Sequence, residues 1–189
     1  AAFLVALVLV AYAGTLRHGF VWDDNDIIVN NPANASLASI PGLLSQPDVS
    51  ATGTHHAYYR PLARATYVVE RALFGLNPAG YHAVNLALHV LATLAVALAL
   101  LLWSGSAPVA VGAAALFAVH PVNVEAVAFL STRNTILAVL FAALAFAAHR
   151  RWRVEGSAGM RVASWLLMLA ALLSKETAAL VLPFLLVDD

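Results

Sequence analysis

Three short stretches hold the residues whose chemistry stands out. The first is Phe20–Asn31, FVWDDNDIIVNN, where Asp23 and Asp24 are adjacent and Asp26 follows. Around them lie Phe20, Val21, Trp22, Ile27, Ile28 and Val29. A carboxylate set among apolar groups takes a raised pKa or a partner. Such a group suits a general base or a hard cation with oxygen ligands. A solvated acidic end to an apolar run is the plain alternative. The second stretch is Tyr58-Tyr59-Arg60-Pro61-Leu62. Its guanidinium, at a helix start, offers a planar fork to a phosphate, while tyrosines there equally suit an interfacial anchor. The third is His120-Pro121-Val122-Asn123-Val124-Glu125, whose glutamate stands between apolar runs and needs a partner. Arg133 is a local cation for it. Lys175-Glu176 interrupts a later apolar run, either as a self-neutralising pair or with Lys175 holding an anion.

His82, Asn85 and His89 share one helix face by their spacing. Polar groups inside a membrane face the bundle interior. There they either hydrogen-bond between helices or line a cavity. The spacing supplies no third metal ligand, and the adjacent pair His55-His56 is poorly placed to chelate one ion. Asn34-Ala35-Ser36 matches a glycosylation acceptor pattern that is too common to carry weight.

The elements that must position these groups are greasy. The 189 residues are 62% hydrophobic and 11% charged, with mean hydropathy +0.83. Soluble domains hold about 45–50% apolar and about 25% charged residues, so the chain reads as a membrane protein. Its net charge of zero gives no bulk attraction to nucleic acid. The lack of cysteine excludes disulfides, thiol nucleophiles and thiolate metal sites. Apolar runs predict spans near 1–16, 81–103, 107–120, 122–148 and 162–187, the last broken near 174–176. A span needs about 20 residues, so the first run reads as cut at its start, and the chain as the N-terminal part of a longer protein. Ala11-Tyr12-Ala13 gives that run a rival reading as a signal peptide.

The long polar segment, residues 17–80, contains the turn signals Asn31-Pro32, Pro41-Gly42 and Asn77-Pro78. Within it, Pro61–Phe74 predicts an amphipathic helix on the membrane surface. Leu62, Ala65, Val69 and Leu73 form one face, with Arg64 and Arg71 off it. A helix end is expected near His120 and a new start near Pro121. The polar loop 149–161 carries Arg150, Arg151, Arg153 and Arg161 and reads as cytoplasmic. Counting back across the spans puts Asp23, Asp24, Arg60 and Glu125 together on the extracytoplasmic side.

In order, FVWDD, NNP, YYRPL, GYHAVNLALHVL, LFAVHPVNVEAVAFLSTRN and SKE resemble the N-terminal half of the GT-C fold glycosyltransferases. These multi-spanning enzymes use polyprenyl-phosphate sugars. The resemblance is strongest to the TPR-bearing transmembrane O-mannosyltransferases that act on cadherins, and to their bacterial relatives, and it covers nearly the whole chain. It implies an all-α membrane bundle with a long first extracytoplasmic loop carrying amphipathic helices. It implies that Asp23 and Asp24 form the acidic motif after the first span, one of them the general base, and that Glu125 is a second acidic position. Glu125 would orient the acceptor, bind a cation or tune the cationic groups. Arg60, Arg133 and Lys175 become the residues that hold the lipid phosphate, with Tyr59, His82, Asn85, His89, His120 and Glu176 around the cavity. The donor would be a polyprenyl-phosphate sugar, with mannose the sugar of the nearest resemblance, and the acceptor a hydroxyl of a protein or glycan. The setting would be the bilayer of a bacterial inner membrane or the endoplasmic reticulum, with the site facing periplasm or lumen. No cofactor is required by the residues, and a divalent cation on Asp23, Asp24 and Glu125 is compatible with them. The TPR repeats are absent from this chain.

Two other functions fit the same residues. An ion or solute transporter would place His82, His89, Glu125 and Lys175 along a path, but no internal repeat marks a duplicated half. A non-catalytic membrane scaffold would keep the fold alone.

Overall fold

The computed structural model describes residues 1–45 and 58–187. His55-His56 lies outside the described residues. The described residues form helices and no strands. In order these are α1 (Ala2–Tyr12), α2 (Ile40–Leu43), α3 (Pro61–Phe74), α4 (Pro78–Ser104), α5 (Ala107–Val119), α6 (Asn123–Ala128), α7 (Arg133–Glu155), α8 (Ala158–Ser174) and α9 (Leu182–Val187). Short 3₁₀ turns fill several joints, and one turn of π-helix covers Asn25–Val29.

Two segments are long and apolar enough to cross a membrane, Pro78–Ser104 and Leu130–Glu155. The first has 27 residues, or about 40 Å at 1.5 Å per residue, against a hydrocarbon core of about 30 Å. Shorter apolar helices, Ala2–Arg17, Ala107–Val119 and Ala158–Ser174, pack beside them. One core joins Val8, Leu86, Ala92, Ala118, Val127, Ile136 and Leu140 from α1, α4, α5, α6 and α7. A second joins Ala138, Ala142, Ala145, Met168, Ala171 and Ala178. Small side chains there let α7 and α8 approach closely, the usual device where lipid removes the hydrophobic drive.

Helix ends follow the local sequence. Pro61, Pro78 and Pro108 sit in first turns, where a missing N–H costs nothing. Asn77 caps α4 by accepting from the Ala79 amide at 3.2 Å. Gly105 and Gly156 close α4 and α7 at φ 68, a left-handed end that suits glycine.

Three boundaries differ from the expectations. No single helix runs from Pro121 to Ala148: Phe129 is extended (φ −105, ψ 109) and divides α6 from α7. Residues 149–155 are helical, because arginine and glutamate are good helix formers and Arg151 pairs with Glu155 at 2.9 Å. The loop shrinks to the joint before α8. The break near 174–176 is present, with Lys175 extended (φ −157, ψ 132) between α8 and a 3₁₀ turn, Glu176–Val181.

Helix α3 turns its polar side inward. Arg64, Tyr67 and Glu70 are buried, while Val69 and Leu73 are exposed. The predicted face Leu62, Ala65, Val69 and Leu73 lines an apolar groove shared with Val84, Leu137 and Phe141. This is the arrangement expected where lipid, not water, meets the outer surface.

Candidate functional site

One end of the bundle gathers the loop after α1, the start of α3, the joint before α7 and the Lys175 break. Together they enclose a cavity of about 210 Å³. Asp23, Arg60, Arg64, Tyr58, Tyr67, Ser131, Thr132, Asn134 and Lys175 supply its polar lining. Among the described residues, three cations and one carboxylate therefore share a small space.

The two adjacent aspartates part company here. Asp24 is fully buried. Its Oδ1 accepts from the Ser131 amide at 2.8 Å, and its Oδ2 accepts from the Val21 amide at 3.1 Å. It fastens the first loop to the joint before α7. Asp23 is exposed and lines the cavity. Among the described residues its carboxylate is the only acidic group on that lining.

The cations are held differently. Lys175 donates from Nζ to Thr135 Oγ1 at 2.9 Å. It lines both the polar cavity and a neighbouring apolar groove of about 340 Å³. That groove runs between α4, α7 and the 3₁₀ turn, past Val96, Ala138, Ala142, Phe146 and Val181. Arg60 stacks its guanidinium 4.2 Å from the Tyr58 ring centre and forks onto Glu176, at 2.7 Å from Nη2 and 3.2 Å from Nε. The Arg60 hydrogen bond holds the Glu176 carboxyl below its ordinary value.

Arg133, expected at the donor phosphate, lies outside the cavity lining and is completely buried. Its Nε donates to Asn85 Oδ1 at 2.5 Å and its Nη2 to the Tyr81 carbonyl at 3.1 Å. Its Nη1 donates to Thr66 Oγ1 at 2.9 Å and to the Glu70 carboxylate. The local partner proposed for it, Glu125, is exposed on α6 instead. Burial pushes the Glu70 carboxyl up to about 6, against the downward pull of Arg133. Burial also raises the Tyr67 phenol, which stays protonated and donates to the Leu130 carbonyl at 2.7 Å.

Other expected cavity residues are engaged elsewhere, and Asn85 and His89 hold helices together. Asn85 donates to the Ala126 and Val127 carbonyls at 3.3 and 3.1 Å. His89 Nε2 meets the Ala118 carbonyl at 2.9 Å. His82 is buried with its ring edge-on to His18. His120 is exposed, and its Nδ1 accepts from the Val122 amide at 3.2 Å. Tyr59 donates to the Leu44 carbonyl at 2.6 Å, beside the cavity rather than in its lining. Asn34 is buried and donates to the Ile27 and Ile28 carbonyls at 2.8 and 3.0 Å, so its amide is engaged in the fold. Asp23, Asp24 and Glu125 do not gather: among the described residues no three His, Asp or Glu are placed to hold a metal ion.

The cavity also holds residues that sequence reading passed over. Arg64 stands one turn beyond Arg60 and so shares its helix face, a spacing that could have flagged it. Ser131, Thr132 and Asn134 lie in a stretch that carries the resemblance but drew no individual role, because no proline or glycine marks the joint that aims them.

No family model and no solved structure matches the chain. Curated relatives do. Protein O-mannosyl-transferase Tmtc1 of Drosophila melanogaster is 36% identical over 177 residues, 92% of this chain and 20% of the relative. Protein O-mannosyl-transferase TMTC1 of Homo sapiens is 35% identical over 209 residues, 100% of this chain and 23% of the relative. Protein O-mannosyl-transferase F38B6.6 of Caenorhabditis elegans is 30% identical, covering 98% of this chain and 27% of the relative. The chain thus spans about a fifth to a quarter of the length of these proteins. Over nearly all of its own length it is a sequence relative of the TMTC protein O-mannosyl-transferases.

Proposed function

We propose that the chain forms part of a GT-C type membrane glycosyltransferase. It moves a sugar, mannose by analogy with the named relatives, from a polyprenyl-phosphate donor to a hydroxyl of a protein or glycan. The reaction lies on the extracytoplasmic side. The observation that carries this reading is the position of Lys175. Its ammonium stands where a polar cavity meets an apolar groove. An amphipathic anion with a long apolar tail fits that junction: phosphate at the lysine, chain in the groove, sugar in the cavity.

The chemistry follows from the lining. The acceptor hydroxyl attacks the anomeric carbon. Asp23 takes its proton as general base. The bond from that carbon to the phosphate oxygen breaks, and the lipid phosphate leaves with the electron pair. Lys175, with Arg64 and Arg60, stabilises the charge that develops there. Asp24 positions Asp23 through the backbone and takes no proton itself. Glu125, on the short helix that leads into Phe129–Thr132, is assigned to the acceptor side. Thr132 ties that helix to the cavity by donating to the Glu125 carbonyl at 2.9 Å. The lining residues need no resident cofactor for these steps.

The test is sugar transfer by the full-length protein in membranes, from radiolabelled polyprenyl-phosphate sugars. Asp23→Asn should abolish transfer at unchanged expression. Asp24→Asn should lower the amount of folded protein. Glu125→Gln should raise the acceptor KM more than it lowers kcat. Full activity in Asp23→Asn would remove Asp23 as the base.

A further inference from the structure

Trp22 is the one residue other than glycine with positive φ among the described residues, at 44°. A bulky side chain is a true outlier there. Such a conformation persists only where its surroundings over-determine it. They do so at Trp22. The Val21–Asp24 turn is closed twice, by the Asp24 amide on the Val21 carbonyl at 2.9 Å and by the Val21 amide on Asp24 Oδ2. The Trp22 carbonyl accepts from the Asn25 amide at 3.1 Å and from Asn25 Nδ2 at 3.3 Å.

Two contacts then join this turn to the joint before α7. The Trp22 ring meets Phe129 edge-on, 6.3 Å between centroids, although Trp22 is 85% exposed. Asp24 Oδ1 accepts from the Ser131 amide. Residues 22 and 24 on one strand of chain thus grip residues 129 and 131 on the other. Asp23, between the grips, is left to face the cavity beside Ser131 and Thr132.

We infer that Trp22 is a positioning residue: its left-handed backbone turns Asp24 into the protein and presents Asp23 to the cavity. An ordinary negative φ at position 22 would change the direction in which both carboxylates leave the chain. The catalytic meaning rests on Asp23 being the base, but the geometry can be tested without any turnover.

The experiment is carbodiimide labelling of the full-length protein in detergent, with peptide mass spectrometry to resolve Asp23 from Asp24. The wild type should label Asp23 in strong preference to Asp24. Trp22→Gly loses the ring but accepts positive φ and should keep the preference. Trp22→Ile loses the ring and resists positive φ, and its ratio should move toward parity as Asp24 becomes reactive. Retained preference in Trp22→Ile, or lost preference in Trp22→Gly, overturns the inference. If the isoleucine variant does not fold, thermal midpoints of Trp22→Gly and Trp22→Ala decide. Glycine should melt higher, and alanine melting at or above glycine overturns the inference. A wild type that transfers no sugar would defeat the proposed function and leave the labelling result standing.

Discussion

Arg133 shows no solvent exposure, and every nitrogen of its guanidinium meets an oxygen. Removing one partner of a buried ion pair costs about 3–5 kcal/mol, because the other charge is stranded. Arg133→Met should therefore lower stability by about that much, read from unfolding in mixed detergent. Arg133→Met with Glu70→Met should recover most of the loss. The Arg60–Glu176 pair is a weaker case, since Glu176 is 57% exposed and such pairs give at most about 1 kcal/mol. Its folded-state pKa lies below the ordinary 4.5. The stabilisation is therefore complete above pH 4.5 and is lost as pH falls through the folded value. The melting difference between wild type and Glu176→Gln should vanish in acid. Counting spans grouped Asp23, Asp24, Arg60 and Glu125 on one side, and Lys175 joined them only through the resemblance. The cavity lining holds Asp23, Arg60 and Lys175 and leaves Asp24 and Glu125 off it. Sequence reading could not separate Asp23 from Asp24, because the backbone sign at Trp22 has no signature in a tryptophan. It could not place Arg133 either, since its anionic partner lies on another helix, far back in the chain.

At the scale of elements, hydropathy located the long apolar helices, and proline and glycine located their ends. What it missed were short interruptions. Phe129–Thr132 is apolar enough to pass for continuous helix, yet this joint aims Ser131, Thr132 and Asn134 at the cavity. Conversely, the arginines of 149–155 looked like a loop because charge marks a segment as outside the bilayer without saying that it is coil. The turn from α3 into α4 depends on a close approach. A Cβ at Gly80 would come within 2.5 Å of the Phe74 ring. Gly80→Ala should cost about 1–3 kcal/mol, as overpacking does, and Phe74→Leu should restore part of it. Thermal melts of the two variants together check this.

The whole molecule sets a polar chamber against an apolar channel, and the lysine between them defines what can fill both. A bulky side chain in the channel should discriminate by tail length. Ala138→Phe or Ala142→Phe should raise KM for long-chain donors by about tenfold for each 1.4 kcal/mol of lost burial. It should leave a short-chain donor nearly unaffected, as paired transfer assays can measure. The apolar groove outside α3 serves a different surface and should not respond. The clasp around Arg133 also constrains how this bundle can change over generations. Thr66, Glu70, Asn85 and Arg133 come from three helices, and changing any one of them alone removes a hydrogen bond from the buried guanidinium or its partners. They form a single heritable unit, lost or exchanged as a set, and an aligned collection of relatives should show these positions varying in concert.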